Sequence, residues 1–176
     1  MCLTTSISLL DLQNNSLDEN VVKLFSVAVD EERNLVYVAG IMTSNVAILD
    51  GATEEWVGII QTGITERGIK YIYFDSAAQY LYIFESEHAA LRRVNVTTGE
   101  IIGPVALDGG FGNLAFVDEI RTRLYLTTKN GLTTFDGNTL AELFAVQGLG
   151  EKAGSMVYDE VTDALYLLAS QNKTAR

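Results

Sequence analysis

The stretch Asp30-Glu31-Glu32-Arg33-Asn34-Leu35-Val36-Tyr37-Val38-Ala39-Gly40 sets an aspartate seven residues ahead of a tyrosine, across a short polar turn. The same pair returns as Asp75 and Tyr82, Asp118 and Tyr125, and Asp159 and Tyr166, so the tyrosines recur every 45, 43 and 41 residues. A period of this length marks a repeat architecture, in which each copy cannot bury its apolar faces alone and stacks on its neighbours. The chain therefore reads as one unit copied about four times.

Aligned on the tyrosines, each copy holds four strand-length runs separated by turn signals, with no useful helical periodicity. The first runs are Phe25 to Val29, Ile69 to Phe74, Leu114 to Val117 and Met156 to Tyr158. The second are Leu35 to Ala39, Tyr80 to Phe84, Leu124 to Thr127 and Leu165 to Leu168, each joined to the first as a hairpin. Third runs, Val46 to Leu49, Leu91 to Val94 and Leu132 to Phe135, end in Asp50, Asn95 and Asp136, with Thr53, Thr98 and Thr139 three positions on. An Asp or Asn side chain accepts backbone N–H bonds just ahead of it, so these pairs predict Asx turns into the fourth runs, Trp56 to Ile60, Ile101 to Val105 and Glu142 to Val146.

The first runs do not alternate. Val27, Ala28 and Val29, like Ala115, Phe116 and Val117, are apolar on both faces, so something must cover both sides of each sheet. A radial array of small antiparallel sheets supplies that cover without helices, each blade lying between two others. The fold class expected is all-β, a β-propeller of four-stranded antiparallel blades. The blade units fall at about 25–62, 69–107 and 113–147, with half-blades at 1–24 and 154–170, four blade equivalents in one propeller domain or fragment. Ile7 to Asp11 matches a third run, Asp11 standing 39 residues before Asp50, and Val21 to Leu24 matches a fourth. The two ends thus read as complementary halves of one sheet. Three arrangements stay open: a piece of a longer ring, a four-blade ring closed by its own termini, or a half-ring that dimerises.

Bulk composition excludes several functions. The 176 residues carry 12 basic against 23 acidic side chains, a net charge of −11, which leaves no surplus of cations to neutralise phosphates. Nucleic acid is not expected as a partner, and the acidity reads as a solubilising surface. Cys2 is the single cysteine, which precludes an internal disulfide or a multi-thiolate metal site. No run approaches the roughly 18 apolar residues of a membrane span, and Ser6 to Leu12 lacks the basic flank of a secretory signal.

Asn34-Leu35-Val36-Tyr37-Val38-Ala39-Gly40 and Val46-Ala47-Ile48-Leu49-Asp50, with Thr53 following, resemble the YVTN-type β-propeller repeat. The first copy matches best; in later copies Glu85 and Thr128 stand near the consensus asparagine. The resemblance implies a propeller fold and an extracytoplasmic location. It selects no chemistry, because such proteins include surface-layer and secreted binding proteins, lactonases and relatives of quinoprotein dehydrogenases.

No catalytic, metal or cofactor-binding residue emerges, and no cofactor is expected. His88 is the only histidine, with Glu85 and Glu87 on the same loop, and it lacks converging ligands from several blades. No Gly-x-Ser-x-Gly elbow accompanies it. Gly110-Phe111-Gly112-Asn113-Leu114-Ala115 imitates a dinucleotide fingerprint, but a strand follows it where that motif needs a helix. Its glycines, with Gly63, Gly68, Gly148, Gly150 and Gly154 in equivalent links, read instead as crossings between blades. In a propeller such crossings surround the mouth of the central channel. Glu66, Arg67, Lys70 and Asp108 are therefore the candidate ligand contacts, with His88 beside them, and Arg67 and Lys70 stand out as cations in an acidic chain. The recurring tyrosines read as packing units between blades, not as a sugar-stacking set. The function expected is a non-enzymatic scaffold that binds a protein, glycan or small ligand through its channel-mouth loops. The alternative is part of a lactonase-like or quinoprotein-dehydrogenase-related enzyme whose catalytic residues lie outside this chain.

Overall fold

A computed structural model describes residues 24–40, 44–65, 68–85, 88–149 and 152–170. Among them are fourteen strands and no helix, hence none long and apolar enough to cross a membrane. The first sheet contains β1 (Leu24–Asp30), β2 (Leu35–Gly40), β3 (Asn45–Asp50) and β4 (Trp56–Gln61). The second contains β5 (Ile69–Asp75), β6 (Tyr80–Glu85), β7 (Ala90–Asn95) and β8 (Ile101–Ala106). The third contains β9 (Phe111–Asp118), β10 (Arg123–Thr128), β11 (Gly131–Asp136) and β12 (Glu142–Gln147), while β13 (Lys152–Asp159) and β14 (Ala164–Ser170) pair as a hairpin. Every sheet is an antiparallel meander in chain order. The expected opening half-blade lies outside the described residues, except Leu24, which starts β1.

The repeated aspartate builds the first turn of each copy. Asp30 Oδ1 accepts the Arg33 amide at 3.1 Å and Asp75 Oδ1 the Ala78 amide at 2.9 Å. Asp118 Oδ1 accepts those of Ile120 and Arg121, and Asp159 Oδ1 those of Val161 and Thr162. One further residue closes each turn in the left-handed region: Asn34, Gln79, Thr122 and Asp163 all have φ between 50° and 58°. The Asx turns form as well. Asp50, Asn95 and Asp136 each accept two amides through Oδ1, at 2.8 to 3.0 Å, and the Thr53, Thr98 and Thr139 hydroxyls accept the amide two residues on. Those amides hold the Asp50 carboxyl below its ordinary pKa.

The tyrosine ring packs against the next sheet, while the Tyr37 hydroxyl donates to Asp30 Oδ2 at 3.5 Å. Register places Tyr37 opposite Ala28, and Leu35, Tyr37 and Ala39 form one core with Ile72, Phe74, Leu81 and Ile83 of the second sheet. Tyr37 meets Phe74 with ring centroids 5.2 Å apart. A second core joins Tyr80, Tyr82 and Phe84 to Leu124, Leu126, Ala115 and Val117 of the third sheet. Tyr125 and Phe116 then meet Tyr158 of the hairpin, at 6.2 and 5.0 Å. First strands are neighbours in sequence order, β1 against β5, β5 against β9 and β9 against β13, which makes them the inner strands of a fan. Ser26 stitches two of them by accepting the Ile72 amide at 3.0 Å.

Burial follows position in that fan. β6 and β10 have neighbours on both flanks and are buried on both faces, as the apolar stretches Tyr80 to Phe84 and Leu124 to Leu126 require. β1 and β14, on the two outer flanks, alternate: Val27 and Val29 are exposed at one end and Tyr166 and Leu168 at the other. Gly112 and Gly154, expected in the crossings, lie instead within β9 and β13. At Gly112 a Cβ would stand 2.4 Å from Thr127 Oγ1, the hydroxyl that accepts the Leu114 amide where the β9 ladder is interrupted.

One aspartate of the repeat is poorly accommodated. Asp75 is fully buried, and its Oδ2, like the nearby Tyr82 hydroxyl, has no hydrogen-bond partner among the described residues. Burial raises the Asp75 pKa above its ordinary 3.8, with lesser contributions from Glu119 and Asp118. A raised carboxyl pKa means that folding favours the protonated form, so this group's stabilisation is complete below 3.8 and is lost as pH rises through the folded value. Asp75→Asn keeps an oxygen for the Ala78 amide without the charge. It is expected to raise the unfolding midpoint at pH 7 and to change it little at pH 3.5, measured by thermal melts across that range. A destabilisation that grows toward neutral pH would contradict this reading.

Candidate functional site

In a four-stranded meander the start of the first strand and the end of the fourth lie at the same end. The β4–β5, β8–β9 and β12–β13 links and the β2–β3, β6–β7 and β10–β11 turns therefore share one end of the fan. Lys70, His88 and Asp108 all belong to that end, whereas Glu66 and Arg67 lie outside the described residues.

Lys70 owes its position to a bulge. Ile69 pairs with Glu85 and Tyr71 with Phe84, so Lys70 is the extra residue of the inner strand. The register of β1 shifts likewise at Phe25, that of β13 at Gly154, and that of β9 between Phe111 and Ala115. A bulge bends the strand and re-aims a side chain. Here the inner strands carry aromatic residues next to their bulges. Phe25 meets Tyr71 edge-on at 5.5 Å, Tyr71 meets Phe111 edge-on at 5.2 Å, and Phe111 stacks on Phe84 at 4.4 Å. The Lys70 ammonium lies 5.3 Å from the Tyr71 ring centroid and 5.9 Å from that of Phe111, within cation–π range. The result is a row of rings from three successive inner strands with one cation over it, and Phe25 half exposed at its end.

The remaining candidates are not part of this row. His88 is exposed, and no cluster of His, Cys, Asp and Glu able to hold a metal occurs among the described residues. Glu85, considered in sequence as a neighbour for His88, is buried and paired with the Arg92 guanidinium through Nε and Oε1. Arg92 in turn reaches the β4–β5 crossing, where a Cβ on Gly63 would stand 3.6 Å from its Nη1. Asp108 is exposed on the β8–β9 crossing and lines a cavity of about 140 Å³ with Thr128, Thr133, Glu142 and Gln147. That is well below the roughly 300 Å³ at which ordinary ligand pockets begin.

Sequence reasoning overlooked two features. Arg92 was visible as a charge inside the strand-length run Leu91-Arg92-Arg93-Val94, a position that demands a partner, but Glu85 could be named as that partner only from the β6–β7 pairing. At the opposite end Val29, Glu31, Glu32, Phe74, Ser76 and Glu119 line a hollow of about 410 Å³, where the Ser76 hydroxyl donates to Glu119 at 2.5 Å. Its acidic residues come from turns of the first and third copies, with Ser76 of the second between them.

Comparison with solved structures bears on the fan itself. Hydrazine synthase of Kuenenia stuttgartiensis matches with a TM-score of 0.72 at 10% identity, over 92% of this chain and 46% of that one. A chain of the nidogen/laminin complex matches at 0.65 and 15% identity, over 83% and 56%. Dihydro-heme d1 dehydrogenase NirN matches at 0.58 and 16% identity, over 76% and 30%. The fold is a β-propeller. At these identities the likeness shows the fold alone, and the chain spans 56% or less of each of these structures. No protein-family model and no curated protein matches the sequence.

Proposed function

We propose that this propeller is a non-enzymatic scaffold that binds a protein, glycan or small ligand through the crossing end of its blades. The observation that carries this reading is the row Phe25, Tyr71 and Phe111 beneath the Lys70 ammonium. Rings supply an apolar floor at low conformational cost, and the Lys70 ammonium over them favours an anionic group on the ligand. His88 and Asp108 belong to the same end of the fan, and Glu66 and Arg67, outside the described residues, complete the candidate loop contacts. The scaffold reading sits well with the nidogen/laminin neighbour, which is a protein complex. The copies are of the YVTN type in our reading, supported by the shared tyrosine, strand spacing and Asx turn.

A second reading rests on the neighbours hydrazine synthase and NirN, named for enzymes. In it the chain is part of a lactonase-like or quinoprotein-dehydrogenase-related propeller enzyme whose catalytic groups lie in other blades. Benzoate, a carboxylate on an aromatic ring, separates a binding row from a merely structural one. Titration followed by NMR is expected to shift the ring resonances of Phe25, Tyr71 and Phe111, and Lys70→Gln is expected to weaken the affinity about tenfold, or ~1.4 kcal/mol. Cyclohexylammonium is expected to leave those resonances in place. Shifts absent with benzoate, or unaffected by Lys70→Gln, would refute the proposed site.

A further inference from the structure

We propose that two copies of this chain join head to tail, the β13–β14 face of one seated on the β1 flank of the other. Within the chain the same contact is made repeatedly: the tyrosine-bearing face of one sheet lies on the first-strand face of the next. Tyr37, Tyr82 and Tyr125 are each 5% exposed or less, whereas the fourth tyrosine, Tyr166, is 58% exposed. Val157 pairs with Tyr166 across the hairpin and Ser155 with Leu168, so Val157, Tyr166 and Leu168 share one open face. That face is a finished half of the repeated contact, without its other half.

The other half is present at the opposite end. Counted back from Asp30 and Asp75, Val27 and Val29 hold the places of Ile72 and Phe74, the residues that cover Tyr37. Ile72 is buried, but Val27 and Val29 are 61% and 53% exposed. The two faces are therefore complementary by repeat position, and because both are exposed in the same chain they do not cover each other. A second copy supplies what each lacks, continuing the blade-to-blade packing already built into the chain. The contact is heterologous, and a ring results when the rotation closes. The match to the hydrazine synthase chain takes in 92% of this chain and 46% of that one, so two copies amount to about its length.

The test is sedimentation of the full 176-residue chain. The wild type is expected to form a dimer. Tyr166→Arg and Val27→Asp, both at exposed positions, are each expected to give monomers with unchanged far-UV circular dichroism. An equimolar mixture of the two variants is expected to recover a dimer, because one intact head still meets one intact tail. A wild-type monomer at high concentration, with amides of Tyr166 to Leu168 protected by the chain itself or left open, would overturn the proposal. So would a dimer abolished by Tyr166→Arg yet indifferent to Val27→Asp, which marks a tail-to-tail contact.

Discussion

Tyr82→Ala is expected to destabilise the protein by about 3–5 kcal/mol, and Tyr166→Ala, at the same place in the last copy, by less than about 0.5 kcal/mol. Urea unfolding of dilute chain measures both. The side chains are chemically identical and stand at the same distance from the aspartate of their copy; only the neighbour differs. Tyr82 is fully enclosed in the core between the second and third sheets, so truncation leaves a cavity that the rigid strands on both sides cannot fill. Tyr166 has the third sheet behind it and no described residue in front. Tyr82→Phe separates packing from polarity. Because the hydroxyl has no partner among the described residues and burial raises its pKa, the phenylalanine variant is expected to be as stable as wild type or more so. Equal losses at positions 82 and 166 would show that the tyrosines act within their own hairpins and not between blades.

Arg93→Met is expected to cost about 2–4 kcal/mol in the same assay, and Arg93→Lys nearly as much. Arg93 is 2% exposed, and its guanidinium lies over the Tyr80 ring at 3.9 Å. It donates to the carbonyls of Gly137 and Asn138 in the β11–β12 turn of the following sheet and pairs with Glu100 at 3.6 Å. One planar cation thus pins a turn of the third blade to the second. Methionine fills the volume but leaves two carbonyls without a donor, and an ammonium cannot stack on the ring while spanning both. Loss of stability confined to Arg93→Met, with Arg93→Lys fully stable, would mean that charge alone suffices there.

The difference between these two residues explains what the sequence disclosed. Tyr82 was legible because its role is periodic: any residue that repeats with the blade reports a contact that repeats with the blade. The aspartate turns and the Asx turns were legible because their hydrogen bonds close within three residues of the side chain that makes them. Arg93, like Arg92, stands out as a charge in a strand run, but its partners lie 44 and 45 residues away in another sheet, so nothing local names them. The bulges fall between these cases. Lys70 was picked out as a cation near a crossing, but the slip in register that turns it over Tyr71 and Phe111 depends on how β5 pairs with β6. The same holds for Glu85, which its loop neighbours suggested for chemistry and the β6–β7 pairing commits to Arg92. The crossing end as a whole was foreseeable from strand order. The aromatic row on it was not, because its members come from strands 40 or more residues apart whose proximity is a property of the fan.

Ring-to-ring nuclear Overhauser effects in the selectively labelled chain test the radial arrangement most directly. Cross-peaks are expected between Tyr37 and Phe74, between Phe84 and Phe111, and between Phe116 and Tyr158, each joining a sheet to the next in sequence. Cross-peaks that instead place Tyr37 or Trp56 of the first sheet against Phe135 or Phe144 of the third, the signature of a two-layered sandwich, would contradict it.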